Sequence, residues 1–177
     1  MTTNKTDNTL SWFVAYVKSC HEKRVASILE ALNVEYYLPI QQVRRKWSDR
    51  LKIIERMVLP RIIFVRTTLH DRVELLDKVS SMIGYMTSHG AYTPVVVPDR
   101  QLELFRFMVE KSDENVLIET GPLYPGDHVR VKEGPLEGLE CNLVDVDSRR
   151  CIAVALGPIG NAVIEIAQDK LEKIKTT

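Results

Sequence analysis

The chain has few aromatic residues, 7% of 177 positions, and only three cysteines. Cys20, Cys141 and Cys151 are odd in number and far apart, which excludes a self-contained disulfide framework. They are expected to be free thiols in a reducing compartment. Cys20 and His21 are adjacent rather than spaced as ligands, and no C-x-x-C occurs, so the pattern offers no zinc site. No apolar run reaches the length of a membrane span. The polar opening MTTNKTDNTLSW lacks the apolar centre of a signal peptide, and the expected location is the cytoplasm. A glycine-rich phosphate loop, an H-E-x-x-H pair and a nucleophile elbow are all missing. Without a convergent acid, base or nucleophile set the reading is a protein that is no enzyme and needs no cofactor or metal.

Net charge is also lacking, since 24 Lys and Arg balance 24 Asp and Glu. The balance hides a segregation. Residues 1–110 carry 16 cations against 12 anions, a net of +4, and residues 111–177 carry 8 against 12, a net of −4. The excess is concentrated in Arg44, Arg45, Lys46, Arg50, Lys52, Arg56, Arg61 and Arg66. Such segregation suggests two units facing different partners, one of them polyanionic.

What is present divides the chain in three. The first part alternates strands and helices. WFVAYVKS is rich in aromatic and β-branched residues and predicts a strand. HEKRVASILEALN places Val25, Ile28, Leu29 and Leu32 at helical spacing, with Asn33 as its stop. VEYYLPI is a second short strand, and Gln41 to Met57 reads as a basic hairpin. RIIFVRT is a central strand whose apolar run needs cover on both faces. DRVELLDKV opens with Asp71 three residues before Glu74, a capping-box-like entry. IGYMTS and TPVVVP add short extended pieces, and DRQLELFRFMVE is a helix. These elements predict an α+β sandwich of ferredoxin-like type over residues 1–110.

Residues 111–124 turn polar and meet Gly121 and Pro122, a linker composition. From 125 to 177, HVRVK, NLVDV, CIAVAL and AVIEI are short alternating strands. They are separated by Gly134-Pro135, Ser148-Arg149, Gly157-Pro158 and Gly160-Asn161. Close, regular spacing predicts a small SH3-like β-barrel. Gly126, Gly134 and Gly138 are its turn residues, where tight turns need positive φ or close backbone approach. Asp145 and Asp147 are expected to keep the barrel soluble.

PGDHVRVKEGPLEGLECNLVDVD resembles the KOW motif, with an alternating strand, a Gly-Pro turn, a second glycine and another strand. WFVAYVKSCHEKRVASILEAL resembles the opening strand and helix of the NusG family of transcription elongation factors. LPRIIFV stands where that family has its Pro-Gly-aromatic strand. Two positions depart from the family pattern. Arg61 replaces the usual glycine after the proline, and Cys141-Asn142 replaces the last KOW glycine. With the basic hairpin, these departures resemble the specialised RfaH-like antiterminators, including those of polysaccharide operons, more than the housekeeping factor.

The resemblance implies a monomeric factor that docks on the clamp region of RNA polymerase and suppresses pausing. It also implies a KOW domain that recruits a ribosomal protein or Rho. It favours Ile62 and Phe64 as the polymerase contact pair, with Leu59, Tyr85 and His89 on neighbouring segments, although all of Ile62 to Val65 could equally be core. Arg44, Arg45, Lys46, Arg50 and Lys52 with Trp47 interleaved suit non-template DNA or nascent RNA, and Lys18, His21 and Arg24 would extend that surface. A solvated basic loop is the plainer reading of the same residues. A ribosome-associated or general RNA-binding KOW protein is the competing function. Its positive charge should lie on the KOW unit, which here is acidic.

Overall fold

A computed structural model describes residues 8–47, 50–88, 92–121, 123–124 and 126–174, leaving aside the side chains of Arg45 and Trp47. In chain order the elements are β1 (Ser11–Val17), α1 (Glu22–Ala31), β2 (Tyr36–Tyr37), β3 (Ile40–Trp47), β4 (Arg50–Met57) and β5 (Ile62–Thr67). Then come α2 (Asp71–Lys78), β6 (Met82–Tyr85), β7 (Val96–Val97), α3 (Asp99–Lys111) and β8 (Leu117–Glu119). The last are β9 (His128–Val131), β10 (Glu140–Val146), β11 (Arg149–Ala155), β12 (Asn161–Glu165) and β13 (Leu171–Lys173). The chain is thus mixed α and β, with three helices among the described residues. It divides into two compact units, one from Met1–Pro39 and Leu59–Asp99, the other from Ile40–Val58 and Arg100–Thr177.

In the first unit an antiparallel sheet runs β2-β5-β1-β6, with β7 also pairing to β1. Because side chains alternate along a strand, the register divides the apolar residues between two faces. Phe13 stands opposite Val65 and Ala15 opposite Ile63, so these share a face. Ala15, Val17, Ile63 and Val65 pack there against Val25, Ala26 and Leu29 of α1 and Leu75 of α2. Val14 stands opposite Phe64 and Tyr16 opposite Ile62, which puts Ile62 and Phe64 on the other face. The expectation that β5 needs cover on both faces holds, since Ile62, Ile63, Phe64 and Val65 are all buried.

Local chemistry sets the helix ends. Asn33 adopts φ +54°. The N–H of Asn33 donates to Glu30 O at 3.0 Å and that of Val34 to Leu29 O at 2.9 Å, the paired bonds of a Schellman stop. At α2 the structure differs from the capping-box expectation. Asp71 is the first helical residue, not the cap, and its N–H donates to the Thr68 hydroxyl at 3.0 Å. Thr68 lies before the stretch whose spacing suggested the box, and its hydroxyl fills the role assigned to Asp71.

The second unit holds the β3–β4 hairpin and a six-stranded antiparallel sheet in the order β13-β9-β10-β11-β12-β8. Asp147 and Ser148, at φ +48° and +63°, form the two-residue turn between β10 and β11. The break expected at Ser148-Arg149 therefore falls one residue earlier, at a turn of the type I′ kind, which takes positive φ at both central residues. Gly134 and Gly138 sit at φ +91° and +85°. Gly126 serves a close approach. Its N–H donates to Leu143 O at 2.7 Å, and a Cβ there would meet that oxygen at 2.9 Å.

A candidate nucleic-acid interface and a buried docking strand

The hairpin carries the cations, and its register sorts them. Arg44 stands opposite Ile53, Arg45 opposite Lys52, Lys46 opposite Leu51, and Trp47 opposite Arg50. Arg44, Lys46, Leu51 and Ile53 therefore alternate on one face, while positions 45, 47, 50 and 52 belong to the other. Arg44, Lys46, Arg50 and Lys52 are exposed. An isolated two-stranded ribbon with that pattern is chemically suited to phosphates.

Three of the eight basic residues in this stretch have other engagements. Arg56 donates from Nη1 to Asn115 Oδ1 at 3.0 Å and from Nη2 to Val116 O at 2.8 Å. Arg66 pairs with Glu35 at 3.1 Å and Asp99 at 3.2 Å, and its guanidinium lies 5.9 Å from the centroid of the Trp12 ring. Arg61 matters through its backbone. It adopts φ +64°, a conformation that favours glycine, and its N–H donates to Glu22 Oε1 at 3.0 Å. Its carbonyl accepts from Val17 N–H at 2.8 Å. The buried Glu22 carboxylate thus holds in place a turn that a side chain would otherwise strain.

Leu59, Ile62 and Phe64 are all buried, Phe64 completely, with its ring stacked on Tyr37 at a centroid separation of 6.0 Å. Tyr85 does not join them. It lies opposite Ala15, on the helix-covered face, edge-on to Phe13 at 6.0 Å. The Arg72 guanidinium sits 5.8 Å from the Tyr85 ring centroid, and burial pushes the phenol up to about 12. His89 lies outside the described residues. Lys18, His21 and Arg24 belong to the first unit, at the entry to α1 and on it, whereas the hairpin belongs to the second. His21 Nδ1 lies 2.9 Å from Ser19 O, within its own turn.

Sequence reasoning missed Gln41. Its side chain is 1% exposed, yet it makes a network. Nε2 donates to Glu114 O at 2.6 Å and Ser112 O at 3.4 Å, and Oε1 accepts from Val116 N–H at 3.1 Å. Gln41 stands directly opposite Arg56, so two facing residues at the hairpin root hold the same segment, 112–116. No local signal could have revealed partners more than 70 residues away. Among the described residues no group of three or more His, Cys, Asp or Glu side chains is gathered to hold a metal. No described helix is long and apolar enough to cross a membrane.

Residues 10–106 match the family described as transcription termination factor NusG. That match spans more than half of the chain, which belongs to the NusG family of transcription termination and antitermination factors. Over 181 residues it is 22% identical to the transcription termination/antitermination protein NusG of Borreliella burgdorferi, covering 93% of this chain and 98% of that protein. A solved structure of Thermotoga maritima NusG is 20% identical, with a TM-score of 0.47 over 94% of this chain and 98% of that one. The MjSpt4:Spt5 complex gives 16% identity and a TM-score of 0.32, covering 94% and 99%.

Proposed function

We propose that the chain is a specialised, RfaH-like antiterminator of this family, which binds RNA polymerase and suppresses pausing and termination at particular operons such as polysaccharide synthesis loci. The observation that carries this reading is the β3–β4 ribbon, with exposed Arg44, Lys46, Arg50 and Lys52 around its tip. A factor that acts at chosen operons needs a nucleic-acid reader, and this ribbon supplies the charge for one. The strand order β6-β1-β5-β2 with α1 and α2 on one face supports a ferredoxin-like first domain. The six short antiparallel strands after Val116 support a KOW barrel of SH3-like type. The family match over 10–106 supports a division at residues 1–110, 111–124 and 125–177. The compact units run differently because Gln41 and Arg56 tie the hairpin root to residues 112–116.

In this reading Leu59, Ile62 and Phe64 hold the polymerase clamp, with His89 as a flanking position, while Tyr85, on the helix-covered face, drops out of the contact set. Their burial requires that this face open to the partner. Closing the clamp shifts the enzyme toward its elongating state, which requires tighter binding to that state than to the paused one. The hairpin and Lys18, His21 and Arg24 contact non-template DNA or nascent RNA, and the KOW domain recruits a ribosomal protein, since a factor that suppresses termination is expected to avoid Rho. The acidic balance of residues 111–177 favours this over a ribosome-bound RNA reader.

The test is recruitment to a paused elongation complex. Replacing Arg44, Arg45 and Lys46 with alanine should remove nucleic-acid-dependent recruitment and preserve binding to isolated clamp helices. The logarithm of wild-type affinity should fall with the logarithm of salt, with a slope of about 0.7 per phosphate contact on single strands. Loss of both activities, or of neither, would overturn the assignment.

A further inference from the structure

The stretch expected to be a linker carries a strand. Leu117, Ile118 and Glu119 of β8 pair with Val163, Ala162 and Asn161 of β12, closing one edge of the six-stranded sheet. The chain then has to cross from that edge to β10, where Gly126 N–H donates to Leu143 O and Leu143 N–H donates to Asp127 O. On the way it lays down Leu123.

What Leu123 touches is informative. One face of the sheet is mostly apolar, with Val129, Val131, Cys141, Ile152, Val154, Ala162 and Ile164 all buried and the exposed Asp145–Arg150 pair at its end. The opposite face is ringed by exposed Arg130, Asn142, Arg149, Ala155 and Glu165. At its centre, however, lies a second apolar patch formed by Val144, Val146, Cys151, Ala153 and Val163. Leu123 packs on this patch. Gly160 completes the fit, since any Cβ there would collide with Glu119 O of β8.

We infer that residues 112–121, together with Leu123, form a displaceable strap occupying, in cis, a docking surface for an extended apolar strand of a partner polypeptide. The strap itself displays the chemistry that fits, main-chain pairing along β12 plus one aliphatic side chain on the Val144–Val163 patch. The part that lies on β12 is lightly held, because β8 has only three residues and Leu117 is exposed, and the firm anchor is Val116 at its start, which is fully buried. The latch is remote. Gln41 and Arg56 grip residues 112–116 just before β8, so a partner that lifts the strap also frees the root of the cationic hairpin. By linkage, strain on the hairpin loosens the strap. This inference does not rest on the polymerase reading.

Cys151 reports on the strap because it lies on the patch, while Cys141 lies on the opposite face. In a full-length Cys20→Ser background, the rate of thiol labelling separates the two. Strap breaking uses Ile118→Pro with Leu123→Asp, and latch breaking uses Gln41→Ala with Arg56→Ala. Either pair should raise Cys151 labelling by about tenfold or more through local opening and leave Cys141 protected. A labelled peptide VLIETGPLY, residues 116–124, should bind the strap-broken chain and not the wild type, whose tethered strap competes at high effective concentration. Cys151 remaining protected in both variants overturns the strap, and an open patch that ignores the peptide overturns the docking surface. If strap breaking exposes Cys141 as well, the sheet has unfolded. The latch variant, which alters no residue of the sheet, then decides by the same two readouts.

Discussion

Two Ile-Ile pairs lie nine residues apart and meet opposite fates. Ile62 and Ile63 on β5 are buried, whereas on β4 Ile53 is 62% exposed, Leu51 on the same face is 72% exposed and Ile54 is only half-buried. Residue type does not explain the difference, since both strands are rich in aliphatics. Strand partners do. β5 lies between β1 and β2 with helices packed on one face, while among the described residues β4 pairs only with β3. Near its tip the ribbon has no second layer to bury its side chains, so Leu51 and Ile53 stay in water beside Arg44 and Lys46. Burial is a property of the address, and the exposed ribbon remains free to meet a partner.

The largest expected effect tests the buried end of this comparison. Phe64→Ala should lower unfolding free energy by about 3–5 kcal/mol in urea titration, because a fully buried ring leaves a cavity. A loss under about 1 kcal/mol would break the comparison. Next, Glu22→Ala should cost about 1–3 kcal/mol by leaving the Arg61 N–H without its acceptor. Arg61→Gly should instead stabilise the turn by about 1 kcal/mol, since glycine accepts φ +64° without strain.

Titration sharpens the contrast further. Burial pushes the Cys141 thiol up to about 12, above the ordinary value of 9.0. The unfolded chain therefore loses this proton first, and the group's contribution is complete below pH 9 and declines as pH rises toward 12. Cys141→Ala should flatten that alkaline loss, as followed by circular dichroism during pH titration, whereas substitutions on the ribbon should not. The smallest effect belongs to Ile53→Ser, expected to move stability by no more than about 0.5 kcal/mol. A larger loss would mean that the ribbon's exposed face is buried in solution.

Several features were legible from short-range pattern. The stop at Asn33, the helix before it and the β5 strand follow from spacing and from one residue's tolerance of positive φ. The residues of the opening strand and helix also carried the family resemblance, which the match over 10–106 bears out. The candidate site was less legible. Arg56 and Arg66 looked like part of a basic patch, but distant carbonyl and carboxylate partners hold them. Ile62 and Phe64 share a face as alternation requires, whereas Tyr85 lies on the other because β6 pairs with β1 in the register that sets it opposite Ala15.

The sequence by itself determined the elements whose causes are local. Examples are the alternating strands of residues 128–165, the glycine turns, and the charge segregation that marks the hairpin as cationic. Only the tertiary structure decided that three linker residues become β8, that Gln41 is a buried clamp, and that Arg61 keeps its left-handed turn through Glu22. The physical reason is range. Periodicity and turn preference act over a few residues, whereas a buried amide or an open strand edge takes whichever partner the fold delivers, here from as far as 75 residues along the chain.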